Sequence, residues 1–306
     1  MHDETPADAP LIAMVKGHGA ARVRLEPGLH LIATPIGAAR DITLRALDIL
    51  ASADVLTAED TRSLRHLMEI HGVPLSGRPL LAYHDHNGAA MRPRILAALA
   101  EGRSVAYASE AGTPLVADPG YQLARAVVAA GHVLRAAPGP SAVLAALAVS
   151  GLPTDRFLFA GFPPTTTGAR AAFLAELATV PATVILFESP KRVHRTLREL
   201  AQSFGDGREA VVCRELTKRF EEVTRGTLAS LAKDFADRVL KGEIVLVVGR
   251  PLPVVVGEGD IDAALRAALV RQTVKAATAE VAASLGLPRR EVYQRALRIA
   301  GETEEP

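Results

Sequence analysis

Five short polar clusters hold most of the residues able to do chemistry. They are Glu59-Asp60-Thr61-Arg62, His84-Asp85-His86-Asn87, Ser109-Glu110-Ala111-Gly112, Glu188-Ser189-Pro190-Lys191-Arg192 and Arg214-Glu215-Leu216-Thr217-Lys218. Each follows a short apolar run. A histidine pair flanking one aspartate is a weak metal signal without a further ligand cluster, and hydrogen-bonding loop histidines explain it as well. There is no Walker A pattern, no G-x-G-x-x-G after the first apolar run, no G-x-S-x-G elbow and no H-E-x-x-H. The third cluster continues through Thr113-Pro114-Leu115-Val116-Ala117-Asp118-Pro119-Gly120. Gly112 lets a ligand approach the backbone, and the prolines hold the loop in one shape. An ordinary connection from strand to helix is the competing reading. With neither a metal set nor a phosphate cradle, this chemistry suits a neutral or zwitterionic small molecule held by backbone groups at strand ends.

The elements that must position these clusters read as strand and helix in alternation. Strands are expected at 29–34, 54–58, 80–83, 104–108 and 132–136, with helices at 43–51, 94–100 and 121–130. That order predicts a parallel, doubly wound sheet whose polar clusters converge on one edge. A second half follows, with helices at 142–150, 170–177 and 193–202 and strands at 156–160, 183–187, 210–213, 221–227 and 244–248. It has fewer intervening helices, which predicts a mixed sheet. Residues 1–27 mix Pro, Gly, Ala and charges without a period and read as a disordered tail. The domains expected are thus 28–140, parallel α/β, and 141–250, mixed α/β. A linker at 251–259 precedes a helical segment, 258–302, resembling a helix-turn-helix, with the turn at Ser284-Leu285-Gly286-Leu287-Pro288. Between 261 and 300 lie seven basic and three acidic residues, net +4, so this segment is either a nucleic-acid contact or a helical cap with a solvated arginine face.

Composition narrows the class. Lys and Arg total 35 against 34 Asp and Glu, which excludes a globally basic coat but not a local basic patch. The lone cysteine, Cys213, excludes intrachain disulfides and cysteine metal clusters. No signal-peptide pattern and no apolar run of about 18 residues is present, so the expectation is a soluble, cytoplasmic protein with no membrane association.

Ten motifs occur in a telling order: Thr34-Pro35-Ile36-Gly37, Ala58-Glu59-Asp60-Thr61-Arg62, Tyr83-His84-Asp85-His86-Asn87, Ala111-Gly112-Thr113-Pro114 and Asp118-Pro119-Gly120 come first. Pro138-Gly139-Pro140-Ser141-Ala142, Gly151-Leu152-Pro153-Thr154-Asp155-Arg156-Phe157, Glu188-Ser189-Pro190, Arg214-Glu215-Leu216-Thr217-Lys218 and Lys241-Gly242-Glu243 follow. From about Leu29 to Arg250 the chain resembles the tetrapyrrole-methylase-like (class III) S-adenosylmethionine-dependent methyltransferases. Within them it is similar to the ribosomal RNA small subunit methyltransferase I family. That family methylates the ribose 2′-hydroxyl of a decoding-region cytidine in 16S rRNA, and it too carries a C-terminal helix-turn-helix-like segment.

The resemblance implies a two-domain α/β fold with S-adenosylmethionine folded between the domains and no metal. Pro35, Ser109, Gly112, Thr113, Val116, Ser141, Ala142, Phe187 and Glu188 would surround the methyl donor, largely through backbone. Gly112-Thr113-Pro114 stands where tetrapyrrole methylases typically have Gly-Asp-Pro, which argues against a corrin or porphyrin substrate. The chain departs from the family pattern at Glu110 (usually Asp), Ala38 (usually Asn), Lys191 (usually His) and the often basic loop after Phe162, here Pro163-Pro164-Thr165-Thr166-Thr167.

Methyl transfer to a ribose hydroxyl is an in-line displacement that needs alignment and a route for the hydroxyl proton. The proton-handling candidates are Glu59, Asp60, His84, Asp85, Glu188, Glu215 and Lys218, with Glu59 or Glu188 expected near the hydroxyl. Arg62, Arg192, Arg214, Lys218, Arg289 and Arg290 are expected on RNA phosphates. Structural ion pairs or hydrogen bonds remain the alternative for each. The implied partners are 16S rRNA or the small ribosomal subunit and a second copy in a homodimer. The rival functions are a small-molecule tetrapyrrole or corrin methyltransferase and a non-catalytic RNA-binding assembly factor.

Overall fold

Five apolar runs separated by helices line up as one parallel sheet in the computed structural model, which describes residues 20–251 and 258–302. Most of the expected tail and most of the expected linker lie outside the described residues. The strands are β1 (Gly28–Ile32), β2 (Val55–Ala58), β3 (Leu80–Ala82), β4 (Ser104–Ala108) and β5 (Leu134–Ala137), in the order β3-β2-β4-β1-β5. Every pairing is parallel. β1, β2 and β4 are buried at every position, as continuous apolar strands covered on both faces must be.

Helices α1 (Leu44–Ser52) and α2 (Thr61–Ile70) cover one face, packing Leu47, Leu50, Leu64 and Met68 against Ile32, Leu56 and Ala106. Helices α3 (Gly88–Ala100) and α4 (Tyr121–Ala129) cover the other, packing Ile95, Leu99, Leu123 and Val127 against Leu29, Leu31 and Val105. Thr43 caps α1 by accepting from the Ala46 N–H, and Asp60 caps α2 by accepting from the Arg62 N–H. Two differences from the sequence reading stand out. The stretch after Asp60, where no helix is expected, is helix α2. Helix α3 begins at Gly88 instead of Arg94, with Pro93 inside it.

The second half runs α5 (Ala142–Ser150), β6 (Phe157–Phe159), α6 (Thr167–Ala178), β7 (Thr183–Glu188), α7 (Val193–Phe204), β8 (Glu209–Arg214), β9 (Glu222–Thr227), α8 (Leu228–Asp234) and β10 (Ile244–Val248). Its sheet has the order β6-β7-β10-β8-β9, with β6 and β7 parallel and the other pairings antiparallel. This is the mixed sheet that the spacing predicts. Helices α6, α7 and α8 bury one face. On the other face α5 packs with Ile36, which comes from the loop after β1, so the two sheets share an apolar cluster.

The chain divides at Arg250 into two compact units. The second holds α9 (Glu258–Leu269), α10 (Val274–Leu285) and α11 (Arg289–Glu302) around Leu265, Ala277, Val281, Val292, Ala296 and Ile299. Thr273 caps α10, and Gly286 ends it at φ 65°, the left-handed turn that glycine permits. Arg295 Nε donates to Asp262 Oδ1 at 2.5 Å and fixes α11 to α9. Among the described residues no helix is long and apolar enough to cross a membrane.

Candidate active site

The carboxyl ends of β1, β2 and β4 bring Thr34, Glu59 and Ser109 to one sheet edge, facing the ends of β7 and the start of β10. A cavity of about 330 Å³ opens between the two sheets there. Its walls are Ile36, Ala111, Val116, Ala117, Ala142, Phe162, Phe187 and the segments 188–190 and 242–245. Phe187 meets Phe159 at 4.8 Å and Phe162 at 5.5 Å between ring centroids, both edge-to-face, which stiffens the aromatic side.

The wall nearest β4 is held in an uncommon backbone shape. Thr34 and Gly112 exchange N–H···O=C bonds of 3.0 Å in each direction. Ser109 Oγ donates to the Gly112 carbonyl at 2.5 Å, and Thr113 Oγ1 donates to the Pro140 carbonyl at 3.0 Å. Gly112 has φ +78°, and a Cβ there would meet Ile36 Cγ2 at 3.3 Å. Leu115 and Ala117 take φ 70° and 55° without being glycine, strain of the kind stored at functional loops. Tyr107 Oη donates to Asp118 Oδ1 at 2.6 Å, and the Gly120 N–H donates to the same oxygen at 2.8 Å. Burial and the Asp118 charge push the Tyr107 phenol well above its usual range, so it stays a donor.

On the opposite wall, the loop after β8 reaches across to the loop after β1. The Ala38 N–H donates to Thr217 Oγ1 at 3.1 Å. A Cβ on Gly37 would lie 2.5 Å from Lys218 Cγ and 2.6 Å from Thr217 Oγ1, so only glycine allows this crossing. Glu215 and Thr217 hold φ 51° and 64° to make the turn. Lys218 Nζ donates to Glu215 Oε1 at 2.9 Å and Glu243 Oε2 at 2.7 Å.

The two expected acids have contrasting surroundings. Glu59 is half-buried at the end of β2, and its pKa is raised, first by burial, then by the charges of Glu110, Asp118 and Asp85. Glu188 is locked. Its Oε1 accepts from the Ser189 N–H at 2.7 Å and Arg192 Nε at 2.9 Å; its Oε2 accepts from Thr196 Oγ1 at 2.5 Å and Arg170 Nη2 at 3.1 Å. Arg170 also binds Glu199 and is itself buried. Because the Glu188 side chain is 0% exposed, what it offers the cavity is main chain. Four donors from the protein itself thus satisfy both oxygens of the Glu188 carboxylate.

Of the expected cofactor residues, Val116, Ala142, Phe187 and Glu188 line the main cavity. Pro35 and Ser109 line a second cavity beyond the Thr34–Gly112 bridge. Gly112, Thr113 and Ser141 act one layer back: the first two shape the loop, and Ser141 caps α5 by accepting from the Leu144 N–H. Four expected phosphate contacts are already paired. Arg62 holds Asp60, Arg192 holds Glu188, Arg214 holds Glu222, and Lys218 holds Glu215 and Glu243. Sequence reading missed Ile36, Phe162 and 242–245 as wall residues, although Ile36, Gly242 and Glu243 belong to two of the ten motifs. Among the described residues no group of three His, Cys, Asp or Glu is placed to hold a metal.

In the second unit Lys275, Thr278, Arg289, Arg290 and Tyr293 surround a pocket of about 300 Å³. Arg295 and Arg271 are engaged with Asp262 and Glu280, but Lys275, Arg289 and Arg290 have no acidic partner among the described residues. Tyr293 is 44% exposed beside them.

Comparison with known proteins agrees with this fold. The sequence profile of the Tetrapyrrole (Corrin/Porphyrin) Methylases matches residues 28–232, and that of the RsmI C-terminal HTH domain matches residues 255–300. The chain is 45% identical over 282 residues to Ribosomal RNA small subunit methyltransferase I of Mesorhizobium japonicum, covering 92% of this chain and 95% of that protein. It is 41% identical over 286 residues to the protein of the same name from Mycobacterium tuberculosis (strain CDC 1551 / Oshkosh), covering 91% and 97%. Among solved structures, diphthine synthase superposes with a TM-score of 0.57 at 18% identity, covering 72% of this chain and 89% of that one. The methyltransferase CobJ superposes at 0.55 and 21% identity, covering 73% and 94%; these two speak for the fold alone. The profile match and the near full-length relatives together place the chain in the tetrapyrrole (corrin/porphyrin) methylase family, among the ribosomal RNA small subunit methyltransferases I.

Proposed function

We propose that this chain methylates the ribose 2′-hydroxyl of a cytidine in the decoding region of 16S rRNA, with S-adenosylmethionine as methyl donor and the small ribosomal subunit as partner. The observation that carries the reading is the cavity at the facing strand ends, coupled to relatives named for small-subunit rRNA methylation. Its volume of about 330 Å³ falls within the range of small-molecule sites. Apolar side chains and main-chain edges dominate its walls, which suits a zwitterion with a flat purine and exposed sulfur better than it suits a polyanion. The donor would be held by Ile36, Val116, Ala142 and Phe187 and by the main chain at 188–190 and 242–245. When bound it supplies a methyl group on a positively charged sulfur.

The remaining work falls to the chain's own groups. Glu59 is the proton acceptor in this reading: a carboxylate whose pKa is raised by burial binds a proton more readily than an ordinary one. Glu188, gripped by Arg170, Arg192 and Thr196, positions the β7–α7 turn that forms one wall. The strained loop around Leu115 and Ala117 presents Val116 to the cavity. Three cations without acidic partners beside an exposed tyrosine suit RNA phosphates in the second unit. We also read the chain as a cytoplasmic homodimer; Tyr121 and Val128, exposed and seven residues apart on α4, are apolar surface available to a second copy.

Labelled S-adenosylmethionine offered with unmodified small subunits, or with a precorrin-type substrate, tests the activity. Label in alkali-resistant ribose of 16S rRNA is the expected result; label only in the precorrin, or RNA binding without transfer, overturns it. Replacing Lys275, Arg289 and Arg290 together by alanine should weaken subunit binding and flatten its log–log salt dependence by about 2–3 units. Affinity for S-adenosylmethionine should not change. Filter binding across a salt series measures the first and calorimetry the second; equal loss of both would make the unit a structural cap.

A further inference from the structure

The segments 34–37 and 109–112, joined by the Thr34–Gly112 bridge, are a partition with a cavity on each side. Ile36 and Ala111 face the cavity assigned to the methyl donor. Thr34, Pro35, Gly37, Ser109 and Glu110 face a second one of about 230 Å³. Leu64 and Leu67 of α2 form its apolar side, with Ser63 and Asp60 at the start of that helix.

The carboxylates at this edge are not equivalent. Asp60 is held by Arg62, and Asp118 by Tyr107 and the Gly120 N–H. Glu110 has no hydrogen bond and no ion pair among the described residues, yet its charge is close enough to raise the pKa of Glu59. Arg62, Arg192 and Lys218 are each turned to another acid. What the second cavity lacks is a hydrogen-bond donor for Glu110 on a flat, uncharged body that can lie against leucine side chains. A nucleobase with an exocyclic amine supplies both. Its amine donates to the carboxylate, and its neighbouring ring nitrogen accepts from a hydroxyl such as that of Ser63, which is exposed.

We propose that the second cavity receives the base of the target nucleotide, rotated out of its stack, and that Glu110 reads the exocyclic amine of cytosine. The inference rests on the RNA-methylating reading above. It puts base and donor on opposite faces of one wall, with the ribose between them at the rim. Recognition by a carboxylate also suits a Glu110 that has no ion pair among the described residues, since a salt bridge would close the acceptor that the amine needs. Unstacking one base costs a few kcal/mol, which phosphate contacts elsewhere on the protein offset.

The test uses the full chain and small subunits reconstituted with 16S rRNA carrying either cytidine or uridine at the methylated position. Uridine has a carbonyl where cytidine has the amine. Wild-type protein should favour cytidine in kcat/KM by about tenfold or more. Glu110→Gln, whose amide can donate to that carbonyl, should collapse or invert the ratio while leaving the Kd for S-adenosylmethionine unchanged. Equal use of both RNAs by the wild type overturns the proposal. So does a variant that loses rate on both RNAs in proportion, because a purely structural role would leave the ratio intact. If the wild type methylates neither RNA, the activity reading fails first and takes the pocket assignment with it.

Discussion

Glu59→Gln lowers the rate of methyl transfer by about two to four orders of magnitude, the usual contribution of a positioned proton acceptor. The loss should fall on kcat, because Glu59 is not among the walls of the main cavity and S-adenosylmethionine affinity does not depend on it. A pH profile gives a second, independent reading. Burial, then the charges of Glu110, Asp118 and Asp85, raise the Glu59 pKa above its ordinary 4.5. The active, ionised form therefore disappears at a higher pH than it would for an unperturbed carboxylate as acid is added. The acid limb of kcat should lie above pH 4.5 accordingly, and Asp85→Asn, which removes one repelling charge, should move that limb down. Rapid-quench measurement of transfer across pH checks both. Retention of most of the rate by Glu59→Gln would place the base elsewhere among the edge carboxylates.

Arg170→Leu destabilises the first unit by about 3–5 kcal/mol, because it removes the buried cation from a Glu188 side chain that is 0% exposed and leaves it only the part-exposed Arg192 as a charge partner. At ~2–4 °C per kcal/mol for a unit of this size, the melting temperature should fall by on the order of 10 °C. The double variant Arg170→Leu with Glu188→Leu should recover much of that loss, since removing both charges of a buried pair is far less damaging than removing one. Arg170→Lys should fall between them. Lysine keeps the charge but cannot reach Glu188, Glu199, Thr196 and the Pro164 carbonyl at once, as the guanidinium does. Thermal and urea unfolding of the three variants separate these outcomes. A single variant as stable as the wild type would remove Arg170 from the support of the β7–α7 wall.

Much of this architecture is legible in the chain because of how parallel strands are buried. β1, β2, β4 and β10 bury every residue, so they read as unbroken apolar runs. Helix α2 does not read at all. Only Leu64 and Met68 of its ten residues are buried, and it starts within a polar cluster that resembles a loop. The site divides the same way. Expected cofactor residues such as Val116 and Phe187 do line the cavity, and Ile36 does so from within a motif, but Phe162 and Val245 get there through packing between the sheets. The charged residues were hardest, because their partners are set by tertiary structure. Arg214 and Glu222 face each other across the β8–β9 ladder, a pairing that the hairpin register encodes and composition does not. Arg170 and Glu188 come from a helix and a strand and give no local signal.

The crossing of Gly37 beneath Thr217 and Lys218 also bears on how the protein is made. The hydrogen bond from Ala38 to Thr217 spans 179 positions of the chain, so it forms only after a long loop has closed. All five strands of the first sheet have been synthesised by Ala137, so that sheet can pair before the second exists. The cavity cannot exist then, because Phe187 and Val245 have not been synthesised. Until they arrive, Ile36 has no partners from the second sheet and remains an apolar surface on a half-built molecule. If the cavity holds the methyl donor as proposed, a nascent chain begins to bind it only when β10 has paired.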